Sequence, residues 1–313
     1  MCGTCGCGSE AKTTIRNLQT GKETTMARDS HDHEHGHDHA GDAHHDHPHD
    51  HGNDHDHADG AGHSHTHDHE HKHSHARAGS RHAHTHGAVF GEVVALEARI
   101  LAKNDTLAAK NRAWFTGREI LALNLVSSPG AGKTTLLERT IRDLKNAMTL
   151  FVIEGDQATA NDGERIRSAG AAAVQVNTGA GCHLEADMVA RGLQELRPGV
   201  GSVVMIENVG NLVCPALFDL GERAKVVILS VAEGEDKPLK YPHMFRAAQI
   251  MILNKIDLLP HVDFDVARAI ANAVQVNPSI TTVQLSARTG EGLETWYAWL
   301  CQELAAVGNA AFA

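Results

Sequence analysis

Aromatic residues are scarce: 4% of 313 positions, with three tryptophans and two tyrosines, and no basic stripe accompanies them. The formal net charge is −11 with histidine counted as neutral. A nucleic-acid surface needs clustered Lys and Arg or a base-stacking aromatic array. Neither is present, which excludes a nucleic-acid partner. No run of eighteen apolar residues occurs, which excludes a membrane-spanning helix. The start, MCGTCGCGSE, lacks the apolar stretch of a secretory signal. A cytoplasmic location is therefore expected. In a reducing compartment Cys2, Cys5 and Cys7 fit metal ligation better than disulfide bonding.

Aliphatic residues are nearly missing from one long segment. Between His31 and His86 lie 22 of the 25 histidines, set among Asp, Glu, Gly, Ala, Ser and Thr. Such a segment cannot bury enough apolar surface to offset its ordering entropy. Residues 1–86 are expected to be largely disordered without metal. Within them the stretch HSHTHDHEHKHSH sets His63, His65, His67, His69, His71, His73 and His75 at every second position. In an extended chain such imidazoles chelate several ions in overlapping ways, with modest affinity and fast exchange. That is the physics of a reservoir, although a solvated low-complexity linker would have the same composition. With an ordinary His pKa near ~6.5, acid would release the ions.

Beyond Phe90 the pattern changes. From Gly91 to about Phe115 it is helical, with Val94, Ile100, Leu101 and Leu107 expected on one apolar face. Seven candidate strands follow: residues 119–126, 149–154, 172–176, 202–207, 224–231, 249–254 and 281–285. Helical patterns such as 184–196 and 264–274 separate them. Near-continuous Val/Ile/Leu strands alternating with helices predict an α/β fold, a mostly parallel sheet flanked by helices. Ligands in such sheets bind beyond the carboxyl ends of the strands.

The motifs follow those ends. Strand 119–126 runs into SSPGAGKTT, residues 127–135, and then into a helix. Gly130, Ala131 and Gly132 let backbone N–H groups curl around phosphates, aided by the helix N-terminus. Lys133 would reach the β- and γ-phosphates, and Thr134, followed by Thr135, would ligate Mg²⁺. Ser127 stands where the phosphate-loop pattern has Gly, a minor departure. Strand 249–254 ends in Asn254-Lys255-Ile256-Asp257, and strand 281–285 in Ser286-Ala287. The Asp257 carboxylate would accept from guanine N1–H and its 2-amino group, and the Ala287 N–H would bind O6. Adenine would leave Asp257 unpaired, a penalty of roughly a few kcal/mol at most. Three motifs in order, each after a strand, indicate GTP.

Between them lie the expected catalytic carboxylates. Asp156, in Glu154-Gly155-Asp156, and Asp162 would ligate Mg²⁺ or orient water, although Asp162 also suits a helix N-cap. Glu207, in ENVG, occupies the place of a γ-phosphate sensor and a further Mg²⁺ ligand. Cys182-His183 sits in a glycine loop and Cys214 follows Glu207 by seven residues. A lone Cys is usually a buried small hydrophobe, but thiolate plus imidazole suits Ni²⁺ or Zn²⁺. Two protomers meeting at these loops would complete a site of three ligands.

SSPGAGKTT, EGDQATANDGERI, NTGAGCHLEA, IENVGNLVCPA, GEDKPLKYP and NKIDLLP together resemble the hydrogenase nickel-incorporation GTPase family, over about residues 90–305 and the first seven. The resemblance implies a P-loop GTPase with slow GTP hydrolysis and a GTP-favoured homodimer. It implies interface metal ligands at Cys182, His183 and Cys214, and a tight N-terminal nickel site at Cys2, Cys5 and Cys7, where spacing alone leaves Zn²⁺ open. It also implies two partners, a nickel-binding accessory protein and the hydrogenase large subunit. Lys237, in GEDKP, would neutralise phosphate charge or be an ordinary solvated lysine. The related urease-maturation GTPase carries Cys-Pro-His, whereas here Cys214-Pro215 precedes Ala216.

Four parts are expected: a Cys motif (1–9), a disordered linker and His-rich segment (10–86), a helical lead-in (87–118) and a GTPase domain (119–313). The expected function is a nickel metallochaperone of hydrogenase maturation. The rivals are nickel storage and detoxification with a regulatory GTPase, and urease-type nickel insertion.

Overall fold

The computed structural model describes residues 13–26, 86–156, 161–179 and 181–310. Met1–Ala27 and Phe90–Ala313 form one compact unit, and Arg28–Val89 a second that lies almost wholly outside the described residues. Cys2, Cys5, Cys7 and the seven alternate histidines from His63 to His75 also lie outside them.

Seven parallel strands make the body of a nine-stranded sheet. They are β3 (Leu121–Ser127), β4 (Leu150–Asp156), β5 (Ala172–Asn177), β6 (Val203–Glu207), β7 (Ala224–Ser230), β8 (Ile250–Asn254) and β9 (Thr281–Gln284). Each matches an expected strand, with ends shifted by at most two residues. Two short strands, β1 (Thr14–Asn17) and β2 (Glu23–Thr25), add an antiparallel hairpin, so that the sheet order is β2-β1-β5-β4-β6-β3-β7-β8-β9. The hairpin departs from the expected disorder of residues 1–86. Ile15 is its apolar anchor, 3% exposed in a cluster with Ile153, Val174 and Val176.

Period-two alternation sends β3 side chains to both faces. Leu121, Leu123 and Leu125 pack with Leu136 and Ile141 of α2 (Lys133–Leu144) and Trp296 of α9 (Leu293–Ala310). Ile120 and Ala122 face Phe115 of α1 (His86–Thr116) and Val189 and Leu193 of α4 (Ala186–Leu196). The remaining helices are α3 (Asn161–Ala169), α5 (Cys214–Leu217), α6 (Lys237–Lys240), α7 (Pro242–Ala247) and α8 (Val266–Val276), with a 3-10 turn at Ile256–His261.

Helix α1 does not bury the face expected of it. Ile100 is 45% exposed, Leu101 and Leu107 are only half-buried, and among the described side chains the buried ones are Asn104, Ala108, Asn111 and Phe115. The two asparagines are satisfied there. Asn104 donates to Asp219 O and accepts from Ala186 N–H, while Asn111 donates to Ala186 O and Leu220 O. They pin the first residue of α4 to the 219–220 loop.

A candidate nucleotide and metal site

Beyond the carboxyl ends of β3, β4 and β6 lies a cleft of about 510 Å³. The phosphate loop forms its floor, between β3 and α2. Gly130 and Gly132 have φ of 75° and 95°, values that side chains resist. A Cβ on Gly132 would also sit 2.5 Å from Asn254 Nδ2. Ser127, in place of glycine, is tolerated because it closes β3 in strand geometry, its hydroxyl donating to Ser128 O at 2.7 Å.

Lys133 Nζ and Thr134 Oγ1 converge on one oxygen, Glu207 Oε1, at 2.8 and 2.6 Å. Glu154 and Glu207 are register partners on the parallel strands β4 and β6, so two buried carboxylates stand side by side. Burial first, and then the charges of Glu207 and Asp156, push Glu154 up to about 9. One oxygen of each, Glu154 Oε2 and Glu207 Oε2, is buried without a hydrogen-bond partner. Orphaned acceptors beside a threonine hydroxyl suit a hard divalent cation such as Mg²⁺. Asp156 and Asp162 line the same cleft. Helix α3 begins at Asn161, so Asp162 is a first-turn residue rather than the cap, and it pairs with Arg165 at 3.1 Å. Arg165 also lines the cleft and was missed in the sequence, although it lies three residues after Asp162.

The base-side residues brace the phosphate loop. Asn254 Nδ2 donates to Ala131 O at 2.9 Å and Lys255 Nζ to Gly130 O at 2.7 Å. Ser286 Oγ donates to Asp257 Oδ1 at 2.6 Å. The Ala287 N–H, expected to meet guanine O6, here donates to Asn254 Oδ1 at 3.1 Å. Lys237 reaches the phosphate loop within its own chain, donating to Ser128 Oγ at 2.9 Å.

The three metal-ligand candidates come together. One ligand atom from each of Cys182, His183 and Cys214 lies within 4.8 Å of the others, with the two sulfurs 3.0 Å apart. Burial lowers His183 to about 4, so its imidazole is neutral, the form that binds metal. Its ring lies against Phe218 at 3.9 Å, and its Nε2 is buried without a hydrogen-bond partner. Asparagines that the sequence reading had not singled out join this cluster to the cleft. Asn208, 1% exposed, accepts from Leu184 N–H at 3.1 Å, and Asn211 donates to Cys182 O at 3.2 Å. The 207–210 segment also lies on the phosphate loop, where a Cβ on Gly210 would be 3.2 Å from Pro129 Cα.

Residues 121–284 match the CobW/HypB/UreG family, nucleotide-binding domain. Over 208 residues the chain is 62% identical to the hydrogenase maturation factor HypB of Rhizobium leguminosarum bv. viciae, covering 66% of this chain and 70% of that one. The chain belongs to this family, on its HypB branch. Two solved HypB structures share the fold, each with a TM-score of 0.61. That of Archaeoglobus fulgidus is 38% identical and covers 65% of this chain and 99% of that one. That of Helicobacter pylori, in complex with nickel, is 37% identical and covers 65% and 95%. The residues that match the family, 121–284, span β3 to β9, the phosphate loop and the Cys182, His183 and Cys214 cluster. Among the described residues no helix is long and apolar enough to cross a membrane.

Proposed function

We propose that this HypB-family chain is a slow GTPase that takes up Ni²⁺ and passes it on for insertion into the large subunit of a [NiFe]-hydrogenase, acting in the cytoplasm with a nickel-binding accessory protein. One observation carries the gating part of this reading: the Asn208–Leu184 hydrogen bond at 3.1 Å. It joins the neighbour of Glu207 to the neighbour of His183.

Lys133 cannot serve both Glu207 and a phosphate equally. In the described arrangement its ammonium neutralises Glu207. GTP would draw it to the β- and γ-phosphates, leaving Glu207 to a cation shared with Thr134 and Asp156. Mg²⁺, when bound there, supplies charge neutralisation for the phosphates. Asp162 orients water, and Asp257, aimed by Ser286, selects guanine. Any shift of Glu207 then reaches Leu184 and Asn211, and through them Cys182 and His183. Cys214 moves with the same segment. The three ligands leave room for a fourth, from a second copy or a receiving protein. Val213 and Leu217, 57% and 55% exposed, flank Cys214 and suit a GTP-favoured homodimer. Thiolate and imidazole accept Zn²⁺ as well as Ni²⁺.

The test is a nickel titration on a variant with Cys2, Cys5 and Cys7 changed to Ser and residues 31–85 removed, which keeps the β1–β2 hairpin. With GDP and with a non-hydrolysable GTP analogue the affinity or stoichiometry should differ, and Cys214→Ala should abolish the difference. Identical titrations would refute the gating. The 22 histidines also favour a storage role. If removing residues 31–85 harms only metal tolerance, and hydrogenase activity survives at low nickel, storage is that segment's main task.

A further inference from the structure

Helix α3 follows β4 and lies beside α2. Its buried positions are Gly163, Ile166 and Ala169, and the last two pack in one cluster with Leu136 and Ile141 of α2. Residues three apart share a helix face. Asp162 and Arg165 therefore form an adjoining stripe, one position back from the buried one, and both line the nucleotide cleft. Among the described residues that line the cleft, Arg165 is the one arginine.

Three groups hold its guanidinium. Nη1 donates to Asp162 Oδ1 at 3.1 Å, and Nη2 donates to Glu138 Oε2 at 2.8 Å and to Thr135 Oγ1 at 3.4 Å. Thr135 adjoins Thr134 in the first turn of α2, and Glu138 lies a turn further along. Glu138 also holds Arg142 through its other oxygen, Oε1. Arg142 is its i,i+4 neighbour on α2, so Glu138 keeps a cation when Arg165 leaves. The Arg165 side chain is 43% exposed, and an ion pair so exposed contributes little to stability. Glu138 is thus a resting place that costs little to give up.

The other basic groups approach from elsewhere. Lys133 rises from the floor to Glu207, and Lys255 braces Gly130 O. Lys237 follows β7 and reaches Ser128. Arg165 follows β4, and β3 lies between those two strands in the sheet. On the β4 side of the phosphate loop, the cation is Arg165.

We propose that Arg165 is a catalytic arginine supplied by the chain itself: on GTP binding its Nη2 leaves Glu138 for a γ-phosphate oxygen, while Nη1 stays on Asp162. This rests on the reading of the cleft as a GTPase centre. In hydrolysis the water oxygen bonds to the γ-phosphorus, and the bond from that phosphorus to the β–γ bridging oxygen breaks. The electron pair of the broken bond stays with GDP. One water proton remains on the phosphate and the other passes to solvent. Arg165 keeps its own protons throughout and stabilises the charge spread over the transferring oxygens. A guanidinium offers a rigid fork of donors, whereas an ammonium is a compact point charge. One side chain thereby binds the γ-phosphate and fixes Asp162, the water-orienting carboxylate, beside it.

The experiment measures single-turnover GTP hydrolysis by the full chain with Mg²⁺, and GDP affinity by calorimetry. Arg165→Ala should slow hydrolysis on the order of a hundredfold, less than an arginine finger contributes in fast GTPases, and leave GDP affinity unchanged. Arg165→Lys keeps the pair with Glu138 but loses the fork, and should recover little of the rate. Glu138→Gln loosens the resting place, and should hydrolyse GTP as fast as the wild type or faster. GDP with aluminium fluoride, a mimic of the transferring phosphoryl group, should bind the wild type and Glu138→Gln more tightly than GDP alone, but not Arg165→Ala. A mere strut between α3 and α2 predicts the reverse: Glu138→Gln as slow as Arg165→Ala, and full rescue by lysine. Either result overturns the proposal, as does a wild-type rate in Arg165→Ala. If Arg165→Ala does not fold, the lysine and Glu138 variants decide. If the wild type hydrolyses no GTP, the GTPase reading itself fails, and the role of Arg165 with it.

Discussion

Asn208 Oδ1 accepts the Leu184 N–H at 3.1 Å while its Nδ2 donates to Asn124 Oδ1 at 3.2 Å. Asn124 in turn donates to Glu222, and Lys225 bridges Glu222 to Phe218 O, the residue whose ring covers His183. A buried polar chain thus runs from beside Glu207 to both sides of the metal loop. Buried networks of this kind hold discrete arrangements, because each partially broken state leaves costly unpaired groups.

Asn208→Leu keeps the branched heavy-atom outline and removes the bonds. The orphaned Leu184 N–H should cost about 1–3 kcal/mol of stability. Coupling between sites usually amounts to about 5–150-fold in affinity. In this variant the ratio of nickel affinities with GDP and with a GTP analogue should fall towards one. Persistence of the wild-type ratio would show that the coupling bypasses Asn208.

Glu154 is raised to about 9 by burial and by Glu207, and its Oε2 is unsatisfied. A cation bound between these carboxylates would relieve both. At neutral pH Glu154 therefore keeps its proton until a cation displaces it, and Glu154→Gln, with little change of shape, prevents that ionisation. The Mg²⁺ concentration giving half-maximal GTP hydrolysis should rise about tenfold, as expected for losing one charge-assisted contact of about 1.5 kcal/mol. An unchanged Mg²⁺ requirement would remove Glu154 from the cation site.

The proposed guanine selection by Asp257, which Ser286 holds at 2.6 Å, can be inverted. Asp257→Asn exchanges an acceptor for a donor. Guanine then loses its partner, whereas xanthine, with a carbonyl at C2, gains one. GTP affinity should fall at least tenfold, or about 1.4 kcal/mol, while xanthosine triphosphate binds more tightly. Calorimetry with both nucleotides decides the matter, and equal losses for both would mean that Asp257 does not face C2.

The parallel strands were legible in the sequence because burial on both faces leaves unbroken Val/Ile/Leu runs. The hairpin was not. Of β1 and β2 only Ile15 is buried, and β2 is exposed throughout, so alternation has a single apolar residue to show. The α1 face misled for a related reason, since its inward positions include Asn104 and Asn111, which bond to loop backbone. Phosphate-loop and base motifs could be located because each follows a strand end. Chemical type marked Cys182, His183 and Cys214 as candidate ligands, and the structure brings the three together. What joins them to the cleft, the Asn208 chain, spans sequence separations of 24 and 84 residues, and no local pattern records it.

Gly155 offers the last prediction, because it separates stability from metal binding. It lies in β4, and a Cβ there would meet Leu184 Cγ, Cδ1 and Cδ2 at 2.8, 2.9 and 2.9 Å. All three atoms crowd the same spot and Leu184 is fully buried, so no single rotation of the side chain relieves the clash. Gly155→Val should destabilise the fold by about 1–3 kcal/mol and lower Tm by several degrees. It should also displace His183, the neighbour of Leu184, and weaken nickel binding at that site more than GTP binding. Gly163→Ala is the matching control: its Cβ meets chiefly the far end of Leu18, at 2.8 Å, which has room to swing on a half-buried hairpin. If Gly155→Val melts early yet binds nickel normally, Leu184 does not position His183.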